Sequence, residues 1–420
     1  MKILLIDDVD ALNFAIRSHR AGHQVRVWFP PHGGERCEVG DGLVEKAADW
    51  RPHMKWADLI VVTFNAKMQD EIAPYVKQGF PILAPNKRAA ELELDREKGQ
   101  QAFEAAGIPT LPYEVFNNFD KAIHFVAKEK AHYVAKPWGG TTDKALSYVP
   151  PSGYEKEALI FKLGEWKEKG IKGDFILQEK IAGTEMGVSG WFGPGGWSRW
   201  IEEDWEEKKF MNGGFGANTG EQGTTVRFVR KSKLFDKVLK PLTDFLHEIQ
   251  YVGNINANCG IDAAGRPWPY EFTTRFGWPA FNIQMPIVKG DPAEWMRDLL
   301  DGKDTLEMST DISLGVVLTH GAYPHFGTKD PDKEMYDPDS CNMPIYGISV
   351  ENEESLQYCM VKVHDQQLVT AGTYVMVVTG AGATVRTAQK AAYATVGEIK
   401  WPGNIQARTD IGSRLKKELP

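Results

Sequence analysis

Three short apolar runs, residues 2–6, 24–29 and 59–63, constrain the start of this 420-residue chain more than any other feature. Each is too brief for a helix and long enough for a buried strand. Between the first two, residues 11–21 carry helical spacing that ends at Gly22, and between the second and third, residues 44–50 are helix-like. Strands alternating with helices predict a parallel sheet covered by helices. A long helix is expected over residues 92–106, stopped by Gly107 and Pro109. Residues 113–190 repeat the alternation, with strands near 133–136 and 175–179. A helix over 235–248 then leads to strands around 255–262 and 268–272. The last third opens with the apolar run 314–319 and contains a strand over 374–379 and a helix over 384–397. Residues 200–222, rich in glycine and charge, are the expected mobile loop.

Composition narrows the classes. With 42% hydrophobic and 25% charged residues, the chain can bury substantial cores and divide into two to four domains. A formal net charge of −8 argues against general binding to a phosphate backbone, while leaving room for a local basic groove. Cys37, Cys259, Cys341 and Cys359 are far apart and form no CxxC pair, which suggests neither zinc nor a disulfide framework and fits a reducing cytoplasm. The apolar start is cut off by Asp7 and Asp8, and no run approaches membrane-spanning length.

Three constellations carry chemistry. Lys136 follows an apolar run and precedes Gly139, Gly140, Thr141, Thr142 and Lys144. Glycines and small hydroxyls let backbone N–H groups approach phosphate oxygens, and the lysines supply charge. A strand-end lysine beside a flexible turn is the plainer explanation, and neither a Walker motif nor GxGxxG is present. The second is the stretch from Ile176 to Glu185. A strand running into a hinge at Glu179, Lys180 and Ile181 can present backbone groups to a purine edge, and Glu185 can accept from ribose hydroxyls. Here the plainer alternative is a pair of solvated turn carboxylates. The third is Glu271-Phe272-Thr273-Thr274-Arg275-Phe276-Gly277, where period-two alternation puts Glu271, Thr273 and Arg275 on one face. A metal ligand, a weaker oxygen donor and a guanidinium would then share one site, unless Glu271 and Arg275 simply form a salt bridge.

In this order and at these separations, the three constellations resemble the ATP-grasp superfamily, and within it the glycinamide ribonucleotide synthetase (phosphoribosylamine-glycine ligase) family. The most specific stretches are Ala217-Asn218-Thr219-Gly220 and, in the final third, Ser313-Leu314-Gly315-Val316-Val317, Gly321-Ala322-Tyr323-Pro324, Ala388-Gln389-Lys390-Ala391-Ala392-Tyr393 and Asp410-Ile411-Gly412. The resemblance implies an α/β multidomain ATP-grasp fold. Its parts would be an N-terminal Rossmann-like domain over 1–95, a small nucleotide-lid lobe over 96–190, a central lobe over 191–325 and a small C-terminal domain over 326–420. It also implies ATP with Mg2+, or Mn2+, as cofactors, small amino acid and amine substrates, and a cytoplasmic monomer or homodimer. Lys136, Lys144 and Arg96 would meet the ATP phosphates, Glu179, Lys180 and Ile181 the adenine, and Glu185 the ribose. Glu271 and Thr273 would hold metal, and Arg275, Lys136 and Asn218 would surround the reacting groups.

The departures from that family lie in the substrate loops. Where the family has a glycine-rich loop for a ribose phosphate, this chain reads Asp7-Asp8-Val9-Asp10-Ala11, and three carboxylates at a helix start favour the dipole but repel phosphate. The next substrate loop reads Thr63-Phe64-Asn65-Ala66-Lys67-Met68, the asparagine metal ligand is replaced by Thr273, and Trp278-Pro279-Ala280 stands where an acidic pair is usual. Three readings follow. One is a divergent ligase joining an amino acid to a modified nucleoside, nucleotide or small amine. The second is an authentic purine-pathway ligase holding its ribose phosphate through Lys67, Lys208 and Lys209. The third is a non-catalytic nucleotide-binding protein.

Overall fold

The computed structural model describes residues 1–32, 34–66, 68–138, 147–321, 323, 324, 336–417 and 419. Lys144 and the neighbouring glycines and threonines, Lys67 and Ala322 lie outside the described residues. Strand Lys2–Ile6 is the centre of a five-stranded parallel sheet, paired with Gln24–Trp28 on one side and Leu59–Val62 on the other. Ile3, Leu4, Leu5 and Ile6 are all fully buried, as a central parallel strand with both faces covered requires. Residues 44–50 are not helical. Glu45–Lys46 instead forms the edge strand, pairing with Arg26 and Val27, and Arg26 Nε donates to Glu45 Oε1 at 2.6 Å.

The expected helix over 92–106 is two helices, Lys87–Leu94 and Arg96–Ala105. Asp95 leaves the helical region at φ −119° and ψ 102°, and its carboxylate accepts from the backbone N–H of Glu97 at 3.0 Å and of Lys98 at 3.4 Å. An N-cap therefore replaces a continuous helix. Residues 235–248 break similarly at Pro241 into Lys233–Val238, a 3-10 turn at Lys240–Leu242, and Thr243–Glu248.

Strands Tyr113–Phe116, Phe175–Glu179 and Tyr133–Pro137 form a three-stranded antiparallel sheet, covered by helices Phe119–Lys128 and Glu155–Glu168. The largest sheet has eight strands, in the order Pro267–Thr273, Gly253–Ile261, Thr184–Gly193, Gly196–Glu206, Gly223–Val229, Ile312–Thr319, Tyr374–Gly382 and Leu356–Tyr358. Consequently the expected loop over 200–222 is a loop only in part. Residues 200–206 belong to a central strand, Lys209–Met211 pairs with Phe215–Asn218 as a short hairpin, and the loop character is confined to the connections. The final helix, Val385–Glu398, lies on strands Ile312–Thr319 and Tyr374–Gly382 through Val385, Ala388, Ala392 and Thr395.

The break at Asp95 makes Arg96 the first residue of its helix, and so fixes where that side chain points. Replacing Asp95 with Ala should cost about 1 kcal/mol of stability, read as a fall in Tm, whereas Asp95→Asn should retain most of it. Equal stability of Asp95→Ala and the unaltered chain would show that the cap does not set the break.

Candidate functional site

Three cations converge on Glu271. Arg96 Nη2 donates to Glu271 Oε2 at 3.0 Å and Arg96 Nη1 to the Tyr270 carbonyl at 3.2 Å. Lys208 Nζ lies 3.4 Å from Glu271 Oε1 and 2.7 Å from Glu206 Oε2. Lys136, on the middle of strand Tyr133–Pro137, donates to Gln178 Oε1 at 3.0 Å and sits 4.9 Å from the centroid of the Tyr270 ring. Burial alone would raise the Glu271 pKa, yet Lys208, Arg96 and Lys136 hold it well below the usual carboxylate range. Burial acts the other way on Lys136 and, with Arg96 nearby, pulls its ammonium down to about 7.

Alternation on strand Pro267–Thr273 places Glu271 and Thr273 on the wall of one cavity, and Arg275 lines it from just beyond the strand end. Glu271 and Arg275 do not pair. Arg275 Nε instead donates to Glu93 Oε1 at 3.0 Å, and the Thr274 N–H donates to Glu93 Oε2 at 2.7 Å. Directly across from Glu271 in the sheet register is Asn258, whose amide donates to Glu206 Oε2 at 2.8 Å and whose Oδ1 is buried without a hydrogen-bond partner in the protein. Among the described residues, no three His, Cys, Asp or Glu side chains are placed to hold a metal ion. A magnesium site here would draw on Glu271, the Thr273 hydroxyl and the orphaned Asn258 Oδ1. Such a set, one carboxylate and two neutral oxygens, suits a hard cation that shares its shell with phosphate and water.

The cavity has a volume of about 320 Å3, and six carboxylates line it: Glu93, Glu202, Asp204, Glu206, Glu221 and Glu271. Glu202, Asp204 and Glu206 project from one face of strand Gly196–Glu206, because side chains two apart share a face. Burial raises the pKa of Glu202 to about 7 against the opposing effect of the Ser189 hydroxyl. Asp204 and Glu221 are raised well above the carboxylate range, in both cases by burial first and then by Glu206.

The remaining expected residues are placed differently. The backbone N–H groups of Glu179 and Lys180 already donate to Pro112 and His132 carbonyls at 2.9 and 2.7 Å, and the Lys180 ammonium turns to Glu155 at 3.3 Å. A purine edge would therefore need other hinge groups, such as those of half-buried Ile181. Glu185 is exposed at the start of strand Thr184–Gly193. Asn218 is exposed on its hairpin strand and does not line the cavity, whereas Gly220 and Glu221 do.

The loop after the first strand differs most from expectation. Asp7 is not a free charge facing an incoming anion. It is fully buried, accepts from the N–H groups of Asp10 at 3.2 Å and Ala11 at 3.0 Å, and receives the Thr63 hydroxyl at 2.6 Å. Burial lifts its pKa to about 6, against the pull of Thr63 and Ala11. Asp10 is also raised by burial and by Asp7, and the Arg275 guanidinium opposes that rise.

Glu202, Asp204, Glu221, Glu93 and Gln178 were not singled out by sequence reasoning. The alternation Glu202, Asp204, Glu206 was the available signal, hidden inside a segment whose charge suggested a loop.

Comparison with known proteins places the architecture. Residues 313–414 match the family described as phosphoribosylglycinamide synthetase, C domain. A phosphoribosylamine-glycine ligase of Halalkalibacterium halodurans is 28% identical over 353 residues, covering 82% of this chain and 79% of the relative. Its counterpart in Salmonella typhimurium is 27% identical over 350 residues, covering 80% and 78%. The crystal structure of the Thermotoga maritima phosphoribosylamine-glycine ligase superposes with a TM-score of 0.72 at 20% identity, over 98% of this chain and 100% of that one. A Campylobacter jejuni biotin carboxylase in complex with βγ-ATP gives 0.63 at 12% identity, over 99% and 95%. These structural likenesses establish the fold.

The low pKa of Lys136 generates a prediction about anion binding. Below pH about 7 this ammonium is already charged, and above that value a triphosphate must recruit a proton to restore the charge. Nucleotide affinity should therefore fall as pH rises above 7, by up to about tenfold per unit. Calorimetry at pH 8 in two buffers of different ionisation heat should show uptake of about one proton per site. Binding with no proton uptake would contradict this account of Lys136.

Proposed function

From the premise that this chain is an ATP-grasp protein resembling the phosphoribosylamine-glycine ligases, we propose that it is an ADP-forming carboxylate-amine ligase whose acceptor is not phosphoribosylamine. The observation that carries the reaction class is the convergence of Lys136, Arg96 and Lys208 on Glu271, which with Lys208 lines the cavity. The rebuilt loop from Asp7 to Ala11 supports the change of acceptor, since its carboxylates are committed to capping and to neighbouring Arg275.

A carboxylate oxygen of the amino acid attacks the γ-phosphorus of ATP, the bond to the bridging oxygen breaks, and ADP leaves. The amine then attacks the acyl carbon, loses a proton and expels phosphate, leaving an amide. Glu271, Thr273 and Asn258 would hold a magnesium ion, which would supply charge neutralisation for the polyphosphate. Lys136 and Arg96 attract and orient the triphosphate, and no side chain has to act as a nucleophile. Arg275, fixed by Glu93, clamps the carboxylate substrate from the opposite wall. Asn218 shapes the hairpin that brings Gly220 and Glu221 to the cavity.

The authentic purine-pathway reading asks Lys67, which lies outside the described residues, with Lys208 and Lys209 to bind a ribose phosphate. Lys208 is engaged by Glu206 and Glu271, so it is not free to serve that anion. Purified protein supplied with ATP, Mg2+, an amino acid and a panel of amines should release ADP and phosphate with an acceptor other than phosphoribosylamine. Lys136→Ala and Glu271→Gln should each lower that rate by at least about 100-fold. Turnover with phosphoribosylamine alone would restore the purine reading, and nucleotide binding without turnover on any acceptor would leave a non-catalytic protein.

A further inference from the structure

The carboxylates of the cavity divide into two groups. Glu93, Glu206 and Glu271 each have a basic partner, in Arg275, Lys208 and Arg96 respectively. Glu202, Asp204 and Glu221 form no salt bridge with a basic side chain among the described residues. All three are nearly inaccessible, at 3%, 1% and 3% exposure, so solvent does not compensate them. Asp204 accepts from the Asn256 amide at 2.7 Å through Oδ2, but its Oδ1 has no hydrogen-bond partner, and neither has Glu221 Oε1.

Leaving two buried carboxylate oxygens unsatisfied costs stability, and folds retain such groups where they meet something else. No three of these side chains are placed to chelate one metal ion. The surrounding wall is aromatic, with Trp191, Phe276, Trp278 and Phe281 all on the cavity. Carboxylates beside aromatic rings in a desolvated pocket suit an organic cation, because the acids supply charge and hydrogen-bond acceptors and the rings attract an ammonium. A volume of about 320 Å3 accommodates a small alkylamine or an aminoalkyl group on a larger molecule.

We propose that Glu202, Asp204 and Glu221 form a receptor for a protonated aliphatic amine, and that this amine is the acceptor substrate. The identification as acceptor rests on the ligase reading above. The receptor itself does not, since it follows from the cavity alone. The amine enters as an ammonium ion, which the three acids hold beside Arg275 and the Gly220-Glu221 turn. To become a nucleophile it must pass one proton to an acid of this cluster, and that carboxylic acid returns the proton to solvent after phosphate departs. The raised pKa values of Glu202, Asp204 and Glu221 suit groups that exchange protons with an amine, rather than groups that stay permanently ionised.

The test uses the full chain without nucleotide, titrated calorimetrically with methylammonium, putrescine and aminomethyluridine, and with ribose phosphate as an anionic comparator. At least one amine should bind, weakening as salt rises, and ribose phosphate should not compete with it. The relative affinity of putrescine and aminomethyluridine distinguishes a free amine from a nucleoside-borne one. Asp204→Asn and Glu221→Gln should each weaken amine binding at least about tenfold while raising Tm at neutral pH, because each removes the cost of burying an acid that ionises freely in the unfolded chain.

That opposite movement of affinity and Tm is a result a purely structural role would not give. Absence of binding by all three amines, affinity unchanged in both variants, lower Tm in both, or displacement of the amine by Mg2+ alone would overturn the proposal. Amine binding with no ADP release on any acid would sink the ligase reading and leave the receptor standing. Carboxylate-dependent ADP release that is indifferent to amines and to both substitutions would do the reverse.

Discussion

The ion cluster at Glu271 ties the molecule together. Its members come from separate elements: Arg96 from the first turn of a helix, Lys208 from the end of the strand Gly196–Glu206, and Glu271 from the edge strand of the large sheet. Lys136 approaches from the three-stranded sheet. Glu271 is shared among the three cations, Glu206 takes part of Lys208, and burial brings the Lys136 ammonium down to about 7. The cluster thus orders these elements around one buried carboxylate, and the proposed polyphosphate site is built on that order. Each cation is held in place by the partner it would share with a ligand, so little reorganisation is needed when the ligand arrives.

Much of this was legible in the sequence wherever a residue's role is local. Lys136 and Glu271 follow from strand position, and the alternation of Glu271 with Thr273 follows from the period of two. The fold class emerged from apolar runs whose burial needs only a sheet with covered faces. What the sequence concealed were pairings across distance. Nothing near Arg275 says that Glu93, far earlier in the chain, would take it from Glu271, and nothing near Asp7 says that Thr63 and two backbone N–H groups would turn it inward. Local breaks were missed for a related reason. The periodicity of residues 92–106 is helical, and only the competition between a cap at Asp95 and a continuous hydrogen-bond ladder decides that two helices form.

The segment 200–206 is the most informative miss. A strand is usually recognised by alternation of apolar and polar residues with the apolar side inward. Here both faces of the strand are buried, and one of them carries Glu202, Asp204 and Glu206. Charge density reads as exposure, and the reading fails because the acids face a cavity that the rest of the fold encloses. Sites of this kind break the local rules that make folds predictable, since a buried unpaired carboxylate has no structural reason to be there.

The two parts of the proposed site then differ in electrostatic character. Lys136 and Arg96 would meet the anion, Glu202, Asp204 and Glu221 would meet the cation, and Lys208 has Glu206 and Glu271 as its partners. In a low-dielectric cavity such fields are weakly screened, so a bound triphosphate and a bound ammonium would attract each other across the reacting carbon as well as their own receptors. That arrangement favours simultaneous occupancy by nucleotide and amine over either alone. The same separation disfavours a phosphorylated acceptor: its phosphate would have to lie among the carboxylates of the cavity, where the basic side chains on the wall, Lys208 and Arg275, are already paired with Glu206, Glu271 and Glu93.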